Sequence, residues 1–264
     1  MLNAIIFGIL QGIFEWLPIS SQGNLVLVMV GLLGIDSSSA MNYAVFLHTG
    51  TLLAAIVYFR KEIVDLLKHL PKYRPKSSHE LDKVTNFLVV STLLTGLIGF
   101  PIYKTLQNIN LPGEYFIGLI GLALIVTGLI QKNAKKSELI NYKKTSTKDG
   151  ILLGLAQALS AIPGISRSGI TTSTLLFRKY KPKNALRLSF LMSVPAIFGA
   201  EIGLSLIDGF GSLAISDIII GIVCAFISGL LTIHALIKIA EKVDFWKFCI
   251  FLGILAITPI IFLI

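Results

Sequence analysis

Charge is what this 264-residue sequence has least of: Asp, Glu, Lys and Arg make up 14% of it, against roughly 25% in a soluble domain. With 54% of residues hydrophobic, the deficit excludes a soluble globular chain. Cysteine is nearly absent. Cys224 and Cys249 both lie in apolar runs, which excludes a disulfide framework and a cysteine metal site and leaves them as packing residues. Strand-type alternation is missing too, and hydrocarbon tolerates no unpaired backbone, so helices are the default. The first 24 residues lack the basic start of a signal peptide, and Glu15 and Pro18 break the apolar stretch it would need.

What is present is a series of apolar segments at 2–17, 24–34, 42–59, 85–103, 114–131, 149–162, 169–177, 184–207, 217–237 and 247–264. A helix needs roughly 17–25 apolar residues to cross a bilayer. Two pairs, 2–17/24–34 and 149–162/169–177, are too short to cross comfortably. Each is broken by a polar elbow, Pro18-Ile19-Ser20-Ser21-Gln22-Gly23 in the first and Pro163-Gly164-Ile165-Ser166-Arg167-Ser168-Gly169 in the second. Paired half-helices around irregular backbone are the mark of re-entrant hairpins lining a protein-enclosed cavity. At an offset of 146, Gly8-Ile9-Leu10-Gln11 overlays Gly154-Leu155-Ala156-Gln157, Ile19-Ser20 overlays Ile165-Ser166, and Gly23 overlays Gly169. The pattern predicts an internal duplication, with halves of about 1–131 and 149–264 forming a single membrane domain.

The net charge of +9 is concentrated. Of 23 basic residues, seven lie in 60–83, six in 132–148, five in 178–187 and three in 238–247. If the six longer segments each cross once and each hairpin returns to its own side, all four basic stretches fall on one face. The positive-inside rule makes that face cytoplasmic. The hairpins then enter from opposite sides. The expected architecture is all-α: six transmembrane helices plus two re-entrant hairpins in an inverted-topology repeat. The basic loops read as topology signals and anionic-lipid contacts, not as a nucleic-acid surface.

Away from segment ends, few ionisable residues fall in the apolar segments or their elbows: Glu15, His48, Arg167, Glu201 and His234. A charge near the bilayer centre costs at least about 2.5 kcal/mol on insertion scales, so each is a functional candidate. Gln11 and Glu15 are four apart and share a helix face toward Ser20 and Ser21. Arg167, between Ser166 and Ser168 and just before a helix start near Gly169, offers a guanidinium fork, hydroxyls and free N–H groups, as a phosphate oxygen requires. A bland reading makes Glu15 no more than the neutraliser of Arg167. Elbows of inverted hairpins meet near the midplane, which would gather Glu15, Ser20, Ser21, Ser166, Arg167, Ser168 and Thr171 in one polar pocket. Carboxylate, hydroxyl and cation suit phosphoryl transfer, although a carrier of an anionic lipid could use the same parts. His48 reads either as a nearby acid/base group or as a packing histidine. Glu201 and His234 read as interfacial, and Ser189 and Ser193 either serve the Pro195 kink or line the pocket.

With both elbows quoted, the chain resembles the undecaprenyl-diphosphatase family of the bacitracin-resistance type. The stretch from Gln11 through Glu15 to Pro18-Ile19-Ser20-Ser21-Gln22-Gly23-Asn24 is similar to that family's acidic segment ending Pro-x-Ser-Ser-x-Gly-His. Pro163-Gly164-Ile165-Ser166-Arg167-Ser168-Gly169-Ile170-Thr171 matches its Pro-Gly-x-Ser-Arg-Ser-x-x-Thr signature throughout. The resemblance implies a multi-pass plasma-membrane hydrolase, opening to the outer face, that removes the terminal phosphate of a polyprenyl diphosphate and recycles the carrier for cell-envelope glycan synthesis. It also implies a divalent cation, Mg²⁺ or Ca²⁺, held by Glu15. By position Glu15 is the essential carboxylate, Ser21 the nucleophile or hydroxyl ligand and Arg167 the phosphate clamp. Gln11, Ser20, Asn24, Gly164, Ser166, Ser168 and Thr171 support substrate binding. The expected partners are the lipid and the membrane, with a homodimer left open; a polyprenyl-phosphate transporter or flippase is the alternative. Asn24 departs from the pattern, since an amide cannot shuttle a proton near neutral pH as histidine does. Proton transfer by Glu15 alone is the favoured expectation, with His48 and weak turnover as the other options.

Overall fold

The computed structural model describes residues 1–35, 37–75, 77–106, 139–162, 165–208 and 215–261, with short stretches at 121–122, 124–126, 129 and 132. Every described element is helical, apart from one isolated bridge between Ile140 and Tyr180. In chain order the helices are α1 (Leu2–Phe14), α2 (Ser21–Leu33), α3 (Ser37–Tyr58), α4 (Arg60–His69) and α5 (Glu80–Leu106). They continue with α6 (Thr147–Ala158), α7 (Arg167–Phe177), α8 (Pro182–Asp208), α9 (Ile215–Lys242) and α10 (Phe245–Ile261).

This is a helical membrane protein. Within α5, Glu80–Thr105 is 26 residues, and α9 is 28; both are apolar enough to cross a bilayer unbroken, spanning about 39 and 42 Å at 1.5 Å per residue. A third candidate is broken: the apolar part of α3 runs into Arg60–Lys72 with a bend of 75°. The basic stretch after residue 59, read from sequence as a loop, thus begins with a helix, α4. Its apolar positions Ile63, Val64, Leu66 and Leu67 recur at helical spacing. Segment 184–207 falls in α8, with Pro195 inside it, and 247–264 largely in α10. Segment 114–131 lies mostly outside the described residues.

Lipid tails are as apolar as leucine, so helices here are held by close packing rather than by burial from water. The short helices accordingly carry small residues where they meet long ones. A Cβ on Gly12 of α1 would lie 2.6 Å from the Gly229 nitrogen and 2.7 Å from the Ala225 oxygen of α9. On α6, a Cβ on Gly154 would lie 2.9 Å from the Ser91 oxygen of α5. The first short helix is therefore seated on a long helix late in the chain, and its counterpart on a long helix early in the chain. Polar links add to the second contact: Gln157 Nε2 donates to Thr95 Oγ1 at 3.1 Å, and that hydroxyl donates to the Ser91 carbonyl at 2.8 Å.

Caps fix where the short helices begin. Ser146 and Asp149 form a reciprocal capping box at the start of α6. The buried Asp149 carboxylate also accepts from Arg178 Nε and Tyr180 Oη, both at 2.9 Å. Ser20 caps α2 by accepting from Gly23 N at 3.2 Å, and Ser166 caps α7 by accepting from Gly169 N at 3.1 Å. These are the two serine–glycine pairs related by the offset of 146.

Candidate active site

The first elbow begins where α1 ends. Glu15 stays in helical conformation at the C-cap, its N–H bonded to the Gln11 carbonyl at 3.0 Å. The chain then turns through Trp16–Ile19 before Ser20 opens α2. This turn exposes one backbone acceptor to the other half of the molecule, the Leu17 carbonyl. Ser168 Oγ donates to it at 2.6 Å and Ser166 Oγ at 3.3 Å. The elbows also touch directly, since a Cβ on Gly169 would lie 3.2 Å from Pro18 Cα. A Cβ there would require Pro18 to give by a few tenths of an ångström.

Across this contact the charges meet. Arg167 Nη2 donates to Glu15 Oε1 at 2.5 Å, joining residues 152 positions apart. The other carboxylate oxygen, Oε2, accepts from Ser21 Oγ at 2.8 Å and from Gln11 Nε2 at 3.0 Å. It also lies 3.3 Å from His48 Nε2 on α3. The other ring nitrogen, His48 Nδ1, is 2.7 Å from the Ala44 carbonyl. The Ala44 carbonyl can only accept, so Nδ1 donates to it and Nε2 is left facing the Glu15 carboxyl. The Glu15 and Arg167 side chains are 6% and 13% exposed, so the pair is shielded from lipid and solvent alike. Beneath it, the Arg167 guanidinium lies 5.7 Å from the centre of the Trp16 ring, which in turn meets Phe190 edge-on at 4.8 Å.

Ser20, Ser166, Ser168 and Thr171 all lie at the elbows, with different duties. The two cap serines hold helix N-termini, and Ser166 and Ser168 stitch the elbows through Leu17. Thr171 is fully buried; its hydroxyl donates to the Arg167 carbonyl at 2.8 Å and so accepts from Ser189 Oγ at 2.6 Å. Asn24 donates to the Ser20 carbonyl at 2.7 Å. Ser193 bonds the Phe190 carbonyl at 2.6 Å, away from the pair. His234 is exposed beside Tyr58, remote from the elbows. Gly164 and the Glu201 side chain lie outside the described residues. Trp16 and the Leu17 carbonyl are the participants that sequence reasoning missed. A tryptophan beside a motif glutamate could have suggested the first; a backbone oxygen carries no residue signal.

Two groups at this site are poised for a ligand. Arg167 Nη1 is buried without a hydrogen-bond partner, and so is Gln11 Oε1. A free guanidinium nitrogen suits a phosphate oxygen. The N-termini of α2 and α7 converge on the same place, where their dipoles favour an anion. The oxygen donors also fit a hard cation: one carboxylate, one amide oxygen and the Ser21 hydroxyl resemble the sparse protein ligation of Mg²⁺ that shares a substrate phosphate.

The profile described as "Bacitracin resistance protein BacA" matches residues 4–258. The chain is 47% identical over 258 residues to a protein of Methanococcoides burtonii named undecaprenyl-diphosphatase, covering 97% of this chain and 96% of that one. Proteins of the same name from Methanothrix thermoacetophila and Haloarcula marismortui are 38% and 34% identical, covering 97% and 98% of this chain and 96% of each relative. Match and relatives alike extend across both elbows and the helices that carry them, and the chain belongs to the BacA bacitracin-resistance family.

Proposed function

We propose that this protein hydrolyses the terminal phosphate of a polyprenyl diphosphate of the undecaprenyl type, regenerating the monophosphate carrier. The observation that carries the reading is the Glu15 carboxylate, gripped on one oxygen by Arg167 and on the other by the Ser21 hydroxyl. The family names agree.

In the reaction, Arg167 turns its free Nη1 onto an oxygen of the terminal phosphoryl group and holds the growing charge. Ser21 Oγ attacks phosphorus in line while Glu15 takes its proton. The bond from phosphorus to the bridging oxygen breaks, and its electron pair leaves with the polyprenyl monophosphate. Water then attacks the phosphoserine and gives its proton to Glu15, which returns it to Ser21 Oγ as the phosphorus–Oγ bond breaks and inorganic phosphate departs. His48, with Nε2 beside the same carboxylate, positions Glu15 and takes the proton of the first step from it before water attacks, the part that Asn24 cannot play. Ser166 and Ser168 keep Arg167 in register through Leu17. A divalent cation, Mg²⁺ or Ca²⁺, would be held by Glu15 and the Gln11 amide oxygen and would supply neutralisation of diphosphate charge.

The fuller architecture belongs to this proposal: six crossings, α1–α2 and α6–α7 as re-entrant hairpins, and inverted halves of about 1–131 and 149–264. The matched serine caps and the reciprocal seating of α1 on α9 and α6 on α5 support it. The site then opens to the outer face of the plasma membrane, with the basic loops in the cytoplasm; a homodimer is compatible with it. Phosphate release from a long-chain prenyl diphosphate in detergent tests the reading. Wild type should release one phosphate per lipid and Arg167→Ala essentially none. Release undiminished in Arg167→Ala, or absent from wild type with and without Mg²⁺, would overturn it.

A further inference from the structure

A second cluster of chemistry-bearing side chains sits at the basic face, unused by the phosphatase site. His69 ends α4, Asp82 lies in the first turn of α5, and His79 immediately precedes that helix. His69 Nε2 lies 2.7 Å from Asp82 Oδ1, which also accepts from the Arg74 N–H at 3.1 Å. The His79 ring stacks on His69 with centroids 5.2 Å apart and planes 18° from parallel. One potential ligand atom from each of the three residues lies within 4.8 Å of the other two. Asp82 is 4% exposed, whereas His79 stands at the rim of an open hollow lined by Pro71, Lys72, Tyr73 and Ser77.

We propose that His69, His79 and Asp82 form a binding site for one divalent transition-metal ion of the zinc class. Two imidazoles and a carboxylate are the ligand set of three-coordinate protein sites that leave a fourth position to water. Magnesium and calcium prefer oxygen ligands throughout and are poorly served by it. Lys72 and Arg74 line the same hollow. Their repulsion weakens any purely electrostatic cation binding, so only a metal that gains from imidazole coordination is held. The exposed His79 swings in by side-chain rotation. A structural His69–Asp82 pair would account for two of these residues but gives His79 no role. The bound ion would staple His79 and the end of α4 to the start of α5.

The test uses the full chain in detergent, without a polyhistidine tag, and Zn²⁺ and Co²⁺ themselves as probes. Equilibrium dialysis should give one Zn²⁺ per chain, and Co²⁺ should show visible absorption that Zn²⁺ abolishes. His79→Ala, a change at an exposed position, should weaken Zn²⁺ by at least about tenfold, the least that even supporting residues of metal sites cost. Glu15→Gln should leave this binding intact and so separate it from any cation at the phosphatase site. Zn²⁺ should also raise the thermal midpoint of wild type by mass action but not that of His79→Ala. Equal affinity in wild type and His79→Ala, or no stoichiometric uptake by wild type, would overturn the proposal.

Discussion

At the scale of single residues, the site is a carboxylate with a job on each oxygen. Because Ser21 and His48 both address Glu15 Oε2, their removal has different consequences. Ser21→Ala removes the oxygen proposed to attack and should leave only background turnover; acid quenching of wild type during turnover should trap phosphate on Ser21, and its absence would reassign attack to water. His48→Gln keeps a hydrogen-bonding side chain but cannot carry a proton. Its kcat should fall about 10²-fold, the lower range for general acid–base catalysis, with KM little changed. Asn24→His should then bring no gain, since the imidazole function is already supplied from α3; a several-fold rise would show that His48 does not serve. The sequence exposed Glu15 and His48 as ionisable groups in apolar runs and Arg167 as one in a polar elbow between two of them. That His48 faces Glu15 was not legible, because it depends on how α3 packs beside the first elbow. Proton transfer by Glu15 alone was the simpler expectation, and the 3.3 Å approach supports a shared role instead.

At the scale of helices, two features do most to place the elbows: serine caps and glycine seats. The caps were readable as Ile-Ser-x-x-Gly repeated at an offset of 146, because capping is local and needs only a hydroxyl three residues before a free N–H. Ser20→Ala and Ser166→Ala should each cost about 1 kcal/mol of stability, and Ser166→Ala should also lower activity by loosening its bond to Leu17. The glycine seats were less legible, since Gly12 meets Ala225 and Gly229 only through tertiary packing. Gly12→Leu should destabilise by more than the roughly 1–3 kcal/mol of ordinary overpacking, because backbone atoms leave no room to relax. Thermal unfolding in detergent would read both effects; a Gly12→Leu midpoint equal to wild type would contradict the seat. Helix α4 is not legible in sequence because its positive charges read as a topology signal, which masks the helical spacing of Ile63, Val64, Leu66 and Leu67.

At the scale of the whole molecule, the account requires two distant parts of one chain to act as one anion site. Composition was enough to establish a helical membrane protein, and the two polar elbows were legible as parts that meet, as the Glu15–Arg167 contact shows. The Leu17 carbonyl and the Trp16 support were not legible, since backbone acceptors and cross-chain ring contacts leave no pattern in sequence. The exchange of partners between α1–α9 and α6–α5 ties the early and late parts of the chain together, so neither elbow should hold its shape alone. The most direct measurement is a double-mutant cycle on kcat/KM for prenyl diphosphate hydrolysis, using Glu15→Asp, Arg167→Lys and the pair. Both changes keep charge and shift it, so residual rates stay measurable. If the two side chains act as a unit, the double variant should be about as slow as the slower single one, as for other interdependent catalytic groups. Losses that simply multiply would mean that Glu15 and Arg167 work independently, and the shared site would be contradicted.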